Sequence, residues 1–123
     1  MEEKSILSRI YQSFPGFRNW PELIEGYDID NLGLILVALA KYSKVLLEKK
    51  ELEELSKIVK MINSFVSSED KDLKNLTVTC YFEGSLEYEN LLSFLEKELN
   101  NVGRDALREV RSATNATWKI DSV

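Results

Sequence analysis

Histidine is absent and cysteine occurs once, as Cys80. Without an imidazole there is no Ser-His-Asp triad, no Cys-His dyad, no HExxH zinc site and no His-based acid–base catalysis. One cysteine excludes an internal disulfide and any multi-cysteine zinc or iron–sulfur site. Glycine is scarce too, and neither spacing of a phosphate-cradling loop occurs. With 2 prolines and 5 glycines, the chain suits helices joined by short turns. The longest apolar run, Leu32 to Ala40, stops at Lys41, well short of the roughly 18–20 residues of a membrane-spanning helix. The opening Met1-Glu2-Glu3-Lys4 puts acids where a secretory leader needs bases, and no apolar core follows. The cytoplasm is therefore the expected compartment, and the triplets at Asn75 and Asn115 carry no glycosylation meaning.

What is present amounts to 123 residues, 44% apolar and 30% charged, with 21 acids against 16 bases and a net charge of −5. One domain over 1–123 is expected, its tail from 114 left open. Nucleic-acid binding draws on Lys and Arg to neutralise phosphates. The bases here are scattered beside acids, as in Glu48-Lys49-Lys50-Glu51, so no direct nucleic-acid contact is expected. Residues 1–62 carry 9 bases and 10 acids, and the remainder 7 and 11, which makes the second half the more negative. An acidic patch favours a basic partner, although plain solubility explains the same charge.

Helical periodicity runs through most of the chain. Ile6, Leu7, Ile10, Tyr11 and Phe14 predict a first helix, broken at Phe14-Pro15-Gly16-Phe17. Pro21 opens a short helix that Gly26 stops. Asp28 or Asp30 is the expected cap of the next one. Residues 31–47 are apolar on nearly every side, the pattern of a central helix surrounded by neighbours. The cleanest stripe follows: Leu52, Leu55, Ile58, Val59, Ile62, Phe65 and Val66. Ser67 or Ser68 is expected to cap a helix with Glu69, Asp70 and Asp72 in its first turn. Residues 76–82 alternate like a strand. A strand needs a partner and none is convincing, so a helix facing inward through Leu73, Leu76 and Cys80 is predicted. A pairing of 76–82 with the tail near Trp118 is the alternative. Leucines 91, 92, 95 and 99 give another helix, ended by Gly103, and 104–114 a last one, with Trp118 and Ile120 available to dock the tail. The expectation is an all-α fold: five to six helices packed as antiparallel hairpins in a short solenoid-like bundle.

Chemistry is sparse. Cys80 sits in an apolar stretch with no basic neighbour, the setting of an inert core thiol. Glu83, Glu87 and Glu89, or Glu22, Glu25 and Asp28, are carboxylates that could form an acid/base pair, but exposed acids four apart on a helix are commonplace. A di-metal carboxylate bundle wants Glu-x-x-His pairs. No catalytic residue, metal or cofactor is therefore assigned. What remains is a surface. Residues 83–98 hold five acids against Lys97 alone, interleaved with Tyr81 and Tyr88, and aromatic anchors among charges are what protein interfaces use. Glu69, Asp70 and Asp72 form a second acidic cluster. The candidate partner-binding residues are Glu69, Asp70, Asp72, Glu83, Glu87, Tyr88 and Glu89.

From Leu46-Leu47-Glu48 through the Glu51–Val66 helix, Asp72-Leu73-Lys74-Asn75-Leu76 and Tyr81 to Leu86, ending at Asn101-Val102-Gly103-Arg104, the order of features resembles a small helical bacterial family of unassigned function. That family includes immunity proteins of polymorphic-toxin and contact-dependent growth inhibition systems. Its Phe-Leu-Glu-Asn-Leu-like string corresponds to Phe82-Glu83-Gly84-Ser85-Leu86 here, and its Leu-Gly pair to Val102-Gly103. These are packing motifs covering about half the chain. The resemblance implies a helical fold and a role in neutralising a cognate toxin domain, often a nuclease whose basic cleft an acidic inhibitor can occlude. A helical scaffold or regulatory protein-binding module is the alternative.

Overall fold

The computed structural model describes the backbone of residues 1–121 and the side chains of residues 1–114. Every regular element among them is helical: α1 (Glu3–Ser13), α2 (Pro15–Arg18), α3 (Pro21–Gly26), α4 (Leu32–Glu48), α5 (Leu52–Val66), α6 (Lys71–Leu76), a π-helical segment (Thr77–Phe82), α7 (Glu83–Ser85), α8 (Glu89–Glu98) and α9 (Asn101–Asp121). The all-α class stands, with more and shorter helical pieces than the five or six expected. The arrangement also departs from a stack of sequential hairpins, since α5 packs on α9 and α1 on α4, elements distant in sequence.

The fold is organised around α4. Leu32, Ile35, Leu36 and Leu39 are fully buried, as are Leu55, Ile58 and Ile62 of α5, Leu91 and Leu95 of α8 and Leu107 of α9. Together with Ile10 and Phe17 they belong to one core cluster, so apolar burial, the dominant stabilising contribution, links the first helix to the last. An aromatic group closes the N-terminal end: Phe17 lies 5.1 Å from Tyr42 and 6.4 Å from both Tyr11 and Trp20, centroid to centroid. The Tyr11 hydroxyl donates to the Ile29 carbonyl at 2.6 Å and ties α1 to the loop before α4.

Helix ends follow side chains that the sequence reading passed over. Asn31, rather than Asp28 or Asp30, caps α4, its Oδ1 accepting from Leu34 N–H at 3.1 Å. Asp28 instead closes a local turn, accepting from Asp30 N–H at 3.0 Å. Both are ordinary Asx chemistry, and only the turn geometry decides which residue sits at the cap. After α4, Lys50 adopts a left-handed conformation (φ 60°). Lys50 N–H donates to Leu47 O and Glu51 N–H to Leu46 O, a Schellman closure with lysine where glycine is usual. Between α8 and α9 the boundary is Asn100, not Gly103. Asn100 Oδ1 accepts from Gly103 N–H at 2.8 Å, and Arg104 closes the end of α8 by donating to Glu96 O (2.7 Å) and Leu99 O (3.1 Å). Gly103 lies inside the first turn of α9, where a Cβ would come 2.9 Å from Asn63 Oδ1 and 3.0 Å from Leu99 Cδ2. Close approach to α5, not helix termination, explains this glycine.

The alternating segment 76–82 is a helix wound wide. From α6 through α7 the buried residues are Leu73, Thr77, Tyr81, Phe82 and Ser85, a repeat of four suited to i→i+5 winding. Leu76 and Cys80, expected to face inward, are only part-buried. Two of the buried stripe's members are hydroxyl residues, and both are satisfied along the same rod: Thr77 donates to Leu73 O at 2.8 Å and Ser85 to Tyr81 O at 2.7 Å. Such back-bonding to the preceding turn goes with a loosened helix. Trp118 and Ile120, offered for docking the tail, lie outside the described side chains.

Candidate docking face

The rod from α6 to α7 crosses α4 closely. A Cβ on Gly84 would stand 3.4 Å from Ala40 Cβ and 3.7 Å from Val37 Cα, so the absence of a side chain lets the backbones approach. That crossing fixes where the acids following it emerge. Glu83, Glu87 and Glu89 are all exposed. Tyr88, half-buried between the last two, has its ring 5.6 Å from Lys44 Nζ, within the range of a cation–π contact. Glu87, Tyr88, Glu89 and Asn90 line an open cavity of about 280 Å³ with Lys44, Leu47 and Glu48 of α4.

Structure adds residues to this face that the sequence did not mark. Leu34 and Val37 are 43% and 36% exposed, so α4 is not surrounded on every side. With Lys41, Lys44 and Glu48 they form a stripe at helical spacing along its uncovered side. Lys41 reaches Glu22 of α3 at 2.8 Å and Lys44 reaches Glu48 at 2.8 Å. Hydrogen bonding to these carboxylates raises both lysines above their ordinary pKa. Burial raises the Tyr88 phenol, with the charge of Glu87 adding to it. At neutral pH Tyr88 is thus a hydrogen-bonding aromatic and not a proton acceptor. The face can present carboxylates, a phenol and two exposed aliphatic side chains to a partner. Its lysines are already engaged with Glu22 and Glu48, which leaves Glu83, Glu87 and Glu89 to set the sign.

The remaining sequence candidates lie elsewhere. Asp70 is the cap of α6, its Oδ1 accepting from Asp72 N–H (3.1 Å) and Leu73 N–H (3.2 Å), while Oδ2 stands 3.8 Å from the N-terminal amine. Glu69 and Asp72 are exposed beside it. On the order of 20 Å of helix separates this end of the rod from Glu83, so the two acidic clusters do not form one continuous patch. Tyr81, read as an interface aromatic, is fully buried in the core. Its hydroxyl lies 2.9 Å from Ser43 Oγ, which donates to Leu39 O at 2.7 Å. Among the described residues no helix is long and apolar enough to cross a membrane.

Fold and face define an all-helical domain with a mixed acidic and aromatic surface. The chain belongs to the DUF7674 family, a domain of unknown function, which it matches over residues 7–109. That match runs from α1 into α9, wider than the stretch 46–107 on which the resemblance rested, and its description names neither toxins nor immunity. No curated protein and no solved structure matches the chain.

Proposed function

We propose that this chain is a non-enzymatic protein-binding domain that docks through the face of Glu83, Glu87, Tyr88 and Glu89 with Leu34 and Val37 of α4. The observation that carries the reading is Tyr88, held half-buried between two exposed carboxylates at the mouth of the α4 cavity. A preset aromatic loses little freedom on binding, and surrounding acids steer a basic partner to it. In the narrower form of the proposal the partner is a bacterial toxin domain, such as a nuclease, whose basic cleft these carboxylates occlude. The net charge of −5 supports that form.

Co-expression with a toxin domain encoded directly upstream tests the narrower form: growth is rescued and the two proteins co-purify. Loss of both effects would sink it. The broader alternative, a regulatory or scaffold module that receives a partner helix, draws on the exposed Leu34 and Val37 and predicts binding that Leu34→Ser weakens more than Glu87→Gln does.

A further inference from the structure

The sequence shows bases scattered among acids, yet the fold gathers several of them. Between α1 and α5 an open groove of about 320 Å³ is lined by Arg9, Ser13, Phe14, Lys57, Lys60 and Met61 among others. A second depression of about 440 Å³ shares Arg9 and Ser13 and continues along α1 to Lys4. No carboxylate lines either one among the described residues, in a chain of net charge −5. Arg9 is held in place with its guanidinium 5.5 Å from the Phe65 ring centroid. Lys57 stands 3.9 Å from Glu53, both well exposed, a pair that water screens and a stronger anion displaces. Lys60 makes no ion pair among the described residues. Beneath these cations Phe14 and Met61 belong to the core, at 3% and 6% exposure.

We infer that this groove binds an acidic protein segment. The cations of α1 and α5, with no carboxylate among them, match its carboxylates. A nucleic-acid strand fits less well. Arg9 covers Phe65 and Phe14 is buried, which leaves no aromatic platform for a base. The groove uses none of the residues of the acidic docking face, so its test stands or falls separately.

Fluorescence anisotropy of the full chain with a short labelled glutamate-rich peptide provides that test. Saturable binding is expected, weakening as salt rises. The double reversal Arg9→Glu/Lys60→Glu is expected to lower affinity roughly tenfold. Lys97→Glu on α8, a single reversal with half that charge change and outside both linings, leaves it within about twofold, because salt screens exposed charges that do not touch the bound segment. The milder Arg9→Gln/Lys60→Gln pair serves if the reversal reduces helix content by circular dichroism, and it too must weaken binding. The inference is overturned by an absence of saturable binding, by an equal loss with Lys97→Glu, or by tighter binding of a single-stranded oligonucleotide.

Discussion

Two tyrosines flanking the same turn of chain sit in opposite settings, one fully buried and one part-exposed, and a single-residue measurement separates them. Tyr81 is fully buried with its hydroxyl against Ser43. Tyr81→Phe is expected to destabilise the fold by about 1 kcal/mol in denaturant unfolding, because Ser43 keeps its bond to Leu39 O and only one hydrogen bond is lost. Burial also raises the Tyr81 phenol far above its ordinary value of 10. The sign follows from linkage: the folded state holds the proton that the unfolded state releases. The stability this contributes is complete below pH 10 and is lost as pH rises beyond it, by up to about 1.4 kcal/mol per pH unit. Unfolding curves between pH 9 and 11 should show Tyr81→Phe with the shallower decline. An equal decline in both proteins would mean that the phenol ionises freely in the fold. Tyr88, being half-buried, is expected to behave otherwise. Tyr88→Ala should leave the thermal midpoint nearly unchanged and weaken partner binding by about 2 kcal/mol, the scale of an interface anchor.

At the scale of elements, caps decide more than periodicity does. Asp70→Ala removes the acceptor of two backbone N–H groups and is expected to cost about 1 kcal/mol. Lys50→Gly relieves the left-handed strain at φ 60° and is expected to stabilise the fold by roughly 0.5–1 kcal/mol. Chemical denaturation of the two variants checks both signs. The same elements show how far local pattern reaches. The α5 stripe was legible because Leu55, Ile58, Ile62 and Phe65 keep one helical face, and all four are buried. The end of that stripe was not, since Leu52 is 46% exposed: a first-turn residue lies beyond the reach of the core. In the rod from α6 to α7 the inward face includes Thr77 and Ser85, whose hydroxyls are satisfied by the preceding turn. A hydrophobicity pattern assigns such residues to solvent and so misplaces the face. Gly103 misled for a related reason. Its role is steric clearance from Asn63 and Leu99, which becomes visible only once α5 and α9 are packed together.

For the whole molecule, charge distribution matters more than net charge. The acidity of residues 83–89 was legible in sequence, and the fold keeps Glu83, Glu87 and Glu89 exposed beside Tyr88. Their setting was not legible, because Lys41, Lys44, Leu34 and Val37 come from a helix whose composition reads as buried throughout. Nor was the separation of the Glu69–Asp72 cluster, since sequence proximity says nothing about the length of helix laid between two acidic stretches. Steering by the docking face makes a kinetic prediction. Glu83→Lys/Glu87→Lys should slow association with a basic partner about tenfold at low ionic strength and flatten its salt dependence, with a smaller change in dissociation. Stopped-flow mixing at two salt concentrations reads both effects.

Hydrogen exchange of the domain, alone and saturated with whichever partner domain co-purifies with it, tests the docking assignment most directly. New protection is expected in peptides covering residues 83–90 and the exposed side of α4 from Leu34 to Glu48. Protection confined to α1 and α5, with 83–90 exchanging as in the free protein, would contradict it.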